Sequence, residues 1–397
     1  EHIVAKKNYA YINNEMLVWA RSNTPFETTI DVQRLVHIDA EKIDAWENGD
    51  DYPTISEAKK LAKLYKLPFA SFFMSTPPQK EPRPYTDRRT IHGAVNHDIS
   101  YELWSEIGRV IGNRENMMEF VDEEDIDEIF ISIPSYNANL SVEEIANNIR
   151  NYLGVSLPFK NKAIYSQKSF NYYRSVLESK GILISQITGV ALEEMKGISI
   201  YYNKYPIIAV NNKDYERAKT FTLIHELAHL VRRSSSLCMI DFDDTNDNEE
   251  KLCDKIAAEI LMPKECFNIV AKTEFNKWSE WNEECLRCIS DKFGVSLFAV
   301  IRRLYELKII SKVIYNSIYH EMSILFFENQ AEIDAKNKER AIIIPYHIKY
   351  LNKEGYLYTK TIMNSYSKGK ISYGEMCHTL NVSSSYISKM ERAVMFV

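Results

Sequence analysis

The sequence contains no long apolar run, and its first residues do not resemble a secretion signal. No segment approaches the roughly 20 consecutive apolar residues of a transmembrane helix, and the opening stretch EHIVAKKNYAYIN lacks the apolar core of a signal peptide. Hydrophobic residues make up 45% and charged residues 26% of the chain, a balance typical of folded globular proteins and not of disordered ones. We therefore expect a cytoplasmic protein with no membrane partner.

Cysteine is also scarce, with six residues in 397. Only Cys285 and Cys288 lie close together, and no second pair at zinc-finger spacing accompanies them. This pattern argues against a disulfide framework and a cysteine-rich zinc site, and predicts reduced thiols. The net charge of −6 likewise excludes a uniformly basic, nucleic-acid-coating protein.

The most informative segment that is present is FTLIHELAHL, residues 221–230. Residues four positions apart lie on one face of a helix, so His225 and His229 can bind one metal ion while Glu226 points at its open coordination position. The surrounding run ERAKTFTLIHELAHLV contains no glycine or proline and favours a helix.

A catalytic zinc ion needs a third protein ligand, and the segment NDNEEKLCDKIAAEILMP at residues 246–263 offers candidates. Glu250 and Asp254 are four residues apart, which places them on one helical face. Glu250 can ligate the metal, and Asp254 can accept a hydrogen bond from the other ring nitrogen of a ligand histidine without itself touching the metal. The HExxH pattern alone is short enough to occur by chance, and the second segment makes a metal site the favoured interpretation.

Three segments carry a resemblance to a known family. They are the HELAH segment, the segment at residues 246–263, and KIDAWENGDDYPTISEAKKLAKLYKLPFASFFM near the start of the chain. The chain resembles the ImmA/IrrE family of zinc metallopeptidases that begin with an Xre-type helix-turn-helix domain. It departs from the family pattern at Cys253, where alanine is usual, and at Asp254, where asparagine is commoner. The similar segments run from Met16 into the C-terminal helices.

The resemblance implies a gluzincin-like zinc metalloendopeptidase with His225, His229 and Glu250 as ligands of Zn²⁺. Such an ion lowers the pKa of water towards about 7, and Glu226 would take the proton as general base and return it to the leaving amine. The target implied is a regulatory protein, such as a repressor or an antitoxin-like partner in stress or mobile-element control. The alternative is an antitoxin-like or repressor-like regulator whose zinc site is structural or inactive.

The predicted elements indicate an α+β fold that is mainly helical. After a proline-rich linker, a helix with a capping Ser141 precedes three β-branched runs (ILISQI, GISIYYN and YPIIAVNN) and the HELAH helix. The run YPIIAVNN fits either an edge strand that accepts an extended substrate or an ordinary core strand. We predict the following domains: a helix-turn-helix domain (1–76), a linker with a connecting helix (77–138), a zincin-like peptidase core with a small sheet (139–272), a helical extension (273–335) and a basic helix-turn-helix-like domain (336–397).

The two terminal domains differ in charge, and we therefore expect them to bind different kinds of partner. Residues 16–76 contain seven basic and nine acidic residues, which disfavours docking on DNA and favours a protein-interaction or dimerisation module, so a homodimer stays open. Residues 341–397 contain seven basic and three acidic residues. Their last predicted helix fits either DNA contacts or a solvated basic face, and the candidate DNA contacts are Ser384, Ser385, Tyr386, Ser388 and Lys389.

Overall fold

The computed structural model divides the chain into two compact units. The first comprises Glu1–Arg83 with Ala94–Arg109, and the second comprises Pro84–Gly93 with Val110–Val397. The structure describes residues 8–78, 86–87, 99–121, 140–155, 169–233, 236–238, 248–339 and 344–395. None of the helices in these ranges combines the length and the apolar content needed to cross a membrane.

Four short helices and a 3-10 helix build the first unit around an apolar core. The neighbouring residues Trp46 and Glu47 both stabilise this unit. Trp46 is buried in the apolar core, and Glu47 accepts two hydrogen bonds of 2.8 Å from the guanidinium of Arg21. Thr54 caps α4 through a reciprocal capping box with Glu57. The elements are α1 (Asn14–Ser22), α2 (Thr29–Val36), α3 (Ala40–Asn48), α4 (Ile55–Leu64) and the 3-10 helix (Phe69–Phe73).

Helix α5 (Tyr101–Phe120) contributes to both units. Its first part lies in the first unit, where the Tyr101 ring stacks on Phe26 at 5.3 Å and its hydroxyl donates to the carbonyl of Leu64. Its second part lies in the second unit, where Arg114 donates to the carbonyl oxygens of Lys204 and Tyr205.

A small mixed sheet organises the second unit. Its strands are β1 (Thr86–Asp87), β2 (Leu183–Ile187), β3 (Gly197–Ile200), β4 (Ile207–Asn211) and β5 (Ser236–Cys238), in the order β1-β5-β3-β4-β2. The strand β3 runs antiparallel to both neighbours, whereas β2 and β4 are parallel. The three β-branched runs predicted as strands are confirmed.

The interpretation of YPIIAVNN as a substrate-accepting edge strand is wrong. In the sheet, β4 is hydrogen-bonded to β2 on one side and to β3 on the other. Its backbone N–H and C=O groups are therefore already paired, and a peptide cannot add to it as a further strand. All five residues of β4 are buried, as expected of a central strand with helices packed over it.

Helices of the second unit pack around this sheet and enclose one large apolar core. The predicted cap at Ser141 is confirmed as a capping box with Glu144 at the start of α6. The helices are α6 (Val142–Leu153), α7 (Ser169–Glu178), α8 (Glu216–Val231), α9 (Asn248–Leu261), α10 (Lys264–Trp278), α11 (Glu283–Phe293), α12 (Leu297–Glu306) and α13 (Lys312–Glu339).

Four C-terminal helices attach to the sheet through the junction between the first two of them. Gly355 lies at this junction with φ of 99°, and a Cβ there would come within 2.6 Å of the carbonyl oxygen of Ile184 on β2. Glu178 at the end of α7 accepts hydrogen bonds from the backbone N–H groups of Tyr356 and Leu357. The helices are α14 (Tyr346–Glu354), α15 (Tyr356–Ser367), α16 (Tyr373–Thr379) and α17 (Ser384–Met395).

The coarse fold class is therefore as predicted, mainly helical with a small sheet. The thiol prediction is also confirmed where it can be checked, because every cysteine whose side chain the structure describes is free.

Candidate metal centre

The helix α8 is buried on nearly all sides, and the ionisable side chains buried with it mark the candidate site. Thirteen of its 16 residues are buried. Among them His225, Glu226 and His229 are at most 1% exposed. A buried ionisable group without partners is costly, so the surrounding elements must supply partners for all three.

The two histidines converge with Glu250, which α9 brings across from the neighbouring helix. The Nε2 atoms of His225 and His229 are 3.1 Å apart. Each also lies 3.2 Å from a carboxylate oxygen of Glu250. Ligand atoms of all three residues fall within 4.8 Å of one another. The predicted ligand set is thus assembled in one buried place.

This arrangement fits a zinc ion. Zinc–nitrogen bonds of about 2.1 Å at a tetrahedral angle place neighbouring ligand atoms about 3.4 Å apart, close to the separations seen here. Two imidazoles and one carboxylate are a typical set for catalytic zinc, which keeps one position for water. The electrostatics also favour a cation, because Glu226, Glu250 and Asp254 place three carboxyl groups around the two rings.

The close contacts within the cluster shift the pKa values of its members. Burial opposes the charged form of His225, but hydrogen bonds to Asp254 and Glu250 outweigh it and raise the pKa of His225 to about 10. Burial would raise the pKa of Glu250, yet the hydrogen bonds to both histidines keep it well below its usual range. The two carboxylates therefore favour the charged form of His225, and the histidines favour the charged form of Glu250.

Asp254 occupies the position that the sequence predicted. Its Oδ1 lies 2.8 Å from Nδ1 of His225. A carboxylate there holds the Nδ1 proton, which leaves Nε2 as the nitrogen that would ligate a metal. The side chain is 17% exposed, which lets the carboxylate keep some contact with solvent.

Glu226 is completely buried against the strand β3. Burial raises its pKa, partly offset by the two histidines and by a hydrogen bond with Ser199. The strand approaches closely because Gly197 has no side chain: a Cβ there would lie 2.5 Å from Oε1 of Glu226 and 2.6 Å from Cγ2 of Thr222. Gly197 and Ser199 are two residues apart and so share one face of β3.

The comparison with known protein families falls on this region. Residues 178–305 match the family model of the IrrE N-terminal-like domain, a peptidase M78 family. The match covers about a third of the chain and includes β2 to β4, α8 and α9. No curated protein and no solved structure matches the chain.

The IrrE-like match supports a metallopeptidase and agrees with the resemblance of the HELAH and LMP segments. It begins at residue 178 and therefore does not extend to the N-terminal unit. The Xre-type domain predicted there rests on the sequence resemblance alone and stays a prediction.

Among the described residues, a second group that could hold a metal ion overlaps the first. It consists of His229, Glu249 and Cys253. Both carboxylate oxygens of Glu249 already accept hydrogen bonds from Arg232, at 2.6 and 2.9 Å. Burial raises the pKa of the Cys253 thiol well above its usual value, which disfavours the thiolate that a metal requires. The first group, centred on Glu250, is therefore the better metal site.

The candidate DNA contacts lie on α17, at the C-terminal end of the chain, and take no part in the metal cluster. Ser384, Ser385, Ser388 and Lys389 are exposed, while the Tyr386 ring contacts Tyr346 at 4.4 Å.

Sequence reasoning missed Gly197, Ser199 and the contact of Cys253 with His229. The run GISIYYN carried a weak signal, because a glycine and a serine alternate on one face of a strand otherwise rich in bulky residues.

Proposed function

We propose that this chain is a zinc-dependent endopeptidase that cuts a regulatory protein partner. The observation that carries the proposal is the convergence of His225, His229 and Glu250, at 3.1 to 3.2 Å, directly beside a buried glutamate. A purely structural site has no need of Glu226, because a structural zinc ion closes all four positions with ligands. The match of this region to a peptidase family adds support.

Each residue has a separate role in this proposal. A bound zinc ion would supply Lewis-acid polarisation of the peptide carbonyl and acidify water. His225, His229 and Glu250 would hold it, and Asp254 keeps His225 in the ligating tautomer. Burial makes Glu226 a stronger base than an exposed glutamate, which suits it to take a proton from the attacking water and pass it to the leaving amine.

A macromolecular target is supported by the first unit. Its helix α2 exposes Ile30 and Leu35, which are 55% and 47% accessible, on a domain with more acidic than basic residues. Apolar side chains exposed on an acidic helical domain suit a protein partner better than a phosphate backbone. That the partner is a repressor or antitoxin-like protein follows from the family resemblance alone.

The first test is the zinc content of protein purified without added metal, measured by elemental mass spectrometry. We expect about one zinc per chain in the wild type and in Glu226→Gln, and none in His229→Ala. The Glu226→Gln protein then serves as a trap to isolate the substrate, which the wild type should cleave and the variant should not. Wild-type cleavage by Glu226→Gln would refute the mechanism, and failure of the wild type to take up zinc would leave a regulatory binding protein.

DNA binding through α17 is a second proposed function. The exposed hydroxyls and Lys389 near the start of α17, in a C-terminal segment with a balance of +4, favour it. We expect a labelled duplex to bind with an affinity that falls steeply from about 50 to 200 mM salt. Lys389→Ala should weaken binding and reduce the salt slope by about one. The matched control is Lys63→Ala, an exposed lysine in the acidic first unit; equal effects of both changes would exclude α17 as the contact.

A further inference from the structure

The structure assigns a positioning role to Cys253, whose thiol holds the imidazole ring of His229 in the orientation that metal ligation requires. The Sγ atom lies 3.5 Å from Nδ1 of His229, within hydrogen-bonding distance for sulfur. This inference rests on the metal-binding part of the proposed function, and it extends that proposal to a residue outside the ligand set.

The geometry comes from the spacing on α9. Glu250, Cys253 and Asp254 occupy positions i, i+3 and i+4, so all three lie on the face that packs against α8. From this one face Glu250 reaches both Nε2 atoms, Asp254 reaches Nδ1 of His225, and Cys253 reaches Nδ1 of His229. Each ligand histidine thus has a contact with α9 on the ring nitrogen opposite to its ligating nitrogen.

The chemistry of a neutral histidine explains what the thiol does. When Nε2 of His229 ligates a metal, the ring proton resides on Nδ1, and that N–H needs an acceptor. The sulfur of Cys253 can accept it, although more weakly than a carboxylate oxygen. Both residues are fully buried, so water does not compete for this position.

A thiol also suits the charge of the site. The two ligand histidines already lie among the carboxylates of Glu226, Glu250 and Asp254. A further carboxylate at position 253 would add buried negative charge next to Glu249, which Arg232 already neutralises. A neutral sulfur orients the ring and adds no charge.

The test compares zinc affinities, measured by competition with a chromophoric chelator, among four forms of the full-length chain. Cys253→Ala removes the acceptor and should weaken zinc binding about tenfold, the lower end of the effect typical of such partners. Cys253→Ser restores an acceptor and should stay within about threefold of the wild type. Cys285→Ala is the matched control, because it removes another fully buried thiol, on α11, and should leave zinc affinity unchanged.

The outcomes separate this inference from the proposed function. A wild type that binds no zinc refutes the metal site itself. A wild type that binds zinc, with Cys253→Ala as tight as Cys285→Ala, overturns the role of Cys253 and leaves the metal site intact. Nitrogen-15 NMR of histidine rings in the zinc-loaded wild type needs no substitution: a protonated Nδ1 in His229 is expected, and an unprotonated Nδ1 overturns the inference even where a variant fails to fold.

Discussion

Replacing Gly197 by alanine should disable the proposed base without removing the metal. The new Cβ would lie 2.5 Å from Oε1 of Glu226, whereas ordinary contacts begin at 3.4 Å. The carboxylate would have to retreat by about 0.9 Å, and displacements of about 1 Å reduce catalytic rates on the order of 100-fold. The strand β3 cannot easily shift to relieve this contact, because the new Cβ would also lie 2.6 Å from Cγ2 of Thr222.

The assay measures kcat on the trapped substrate, zinc per chain and thermal unfolding for the same preparations. We expect a loss of about 100-fold in kcat, unchanged zinc, and a destabilisation of about 1 to 3 kcal/mol from overpacking. Gly112→Ala is the control, since a Cβ at Gly112 in α5 meets no atom within 4 Å and should be neutral or slightly stabilising. Wild-type kcat in Gly197→Ala, with one zinc bound, would refute the argument that β3 fixes Glu226.

Three further outcomes can be checked. Burial raises the pKa of Glu178 from 4.5 to about 7, although the positive charge of Arg174 opposes this shift. As the pH rises, Glu178 therefore loses its proton at a lower pH in the unfolded chain than in the folded chain. The free energy of unfolding should therefore fall, by up to on the order of 3 kcal/mol, as the pH rises from about 4.5 to 7, and urea titrations should show this slope disappear in Glu178→Gln. Since the contacts with Asp254 and Glu250 raise the pKa of His225 to about 10, zinc binding at pH 7 should release at least about one proton. Calorimetry in buffers of different ionisation enthalpy detects this release, and its absence would contradict a protonated His225 at pH 7. Arg21→Ala should destabilise the first unit by about 1 to 3 kcal/mol, because it leaves the mostly buried Glu47 unpaired, whereas Arg34→Ala on the exposed face should cost less than about 1 kcal/mol.

The sequence was most informative where the signal is local to one helix. The spacing of His225 and His229, and of Glu250 and Asp254, follows from helical periodicity, so the assembled cluster was predictable. The position of β4 was not, because strand order depends on pairings between distant segments and a buried strand has the same composition in the middle of a sheet as at its edge. Cys253 was noticed only as a departure from a family pattern, and its contact depends on how α9 packs against α8.

The contacts between the metal cluster and its neighbouring elements also bear on the proposed hydrolytic role. The two histidine ligands and the proposed base project from one buried helix, α8, and the third ligand, Glu250, comes from α9. The groups that contact the histidines and the base come from elements other than α8: Asp254 and Cys253 from α9, and Ser199 from β3. A side chain held from a second element loses little freedom when substrate arrives, and such preorganisation is a major source of catalytic power in enzymes. A structural zinc site needs rigid ligands only, so the support given to Glu226 by Ser199 and by the missing side chain of Gly197 is the feature that argues for hydrolysis.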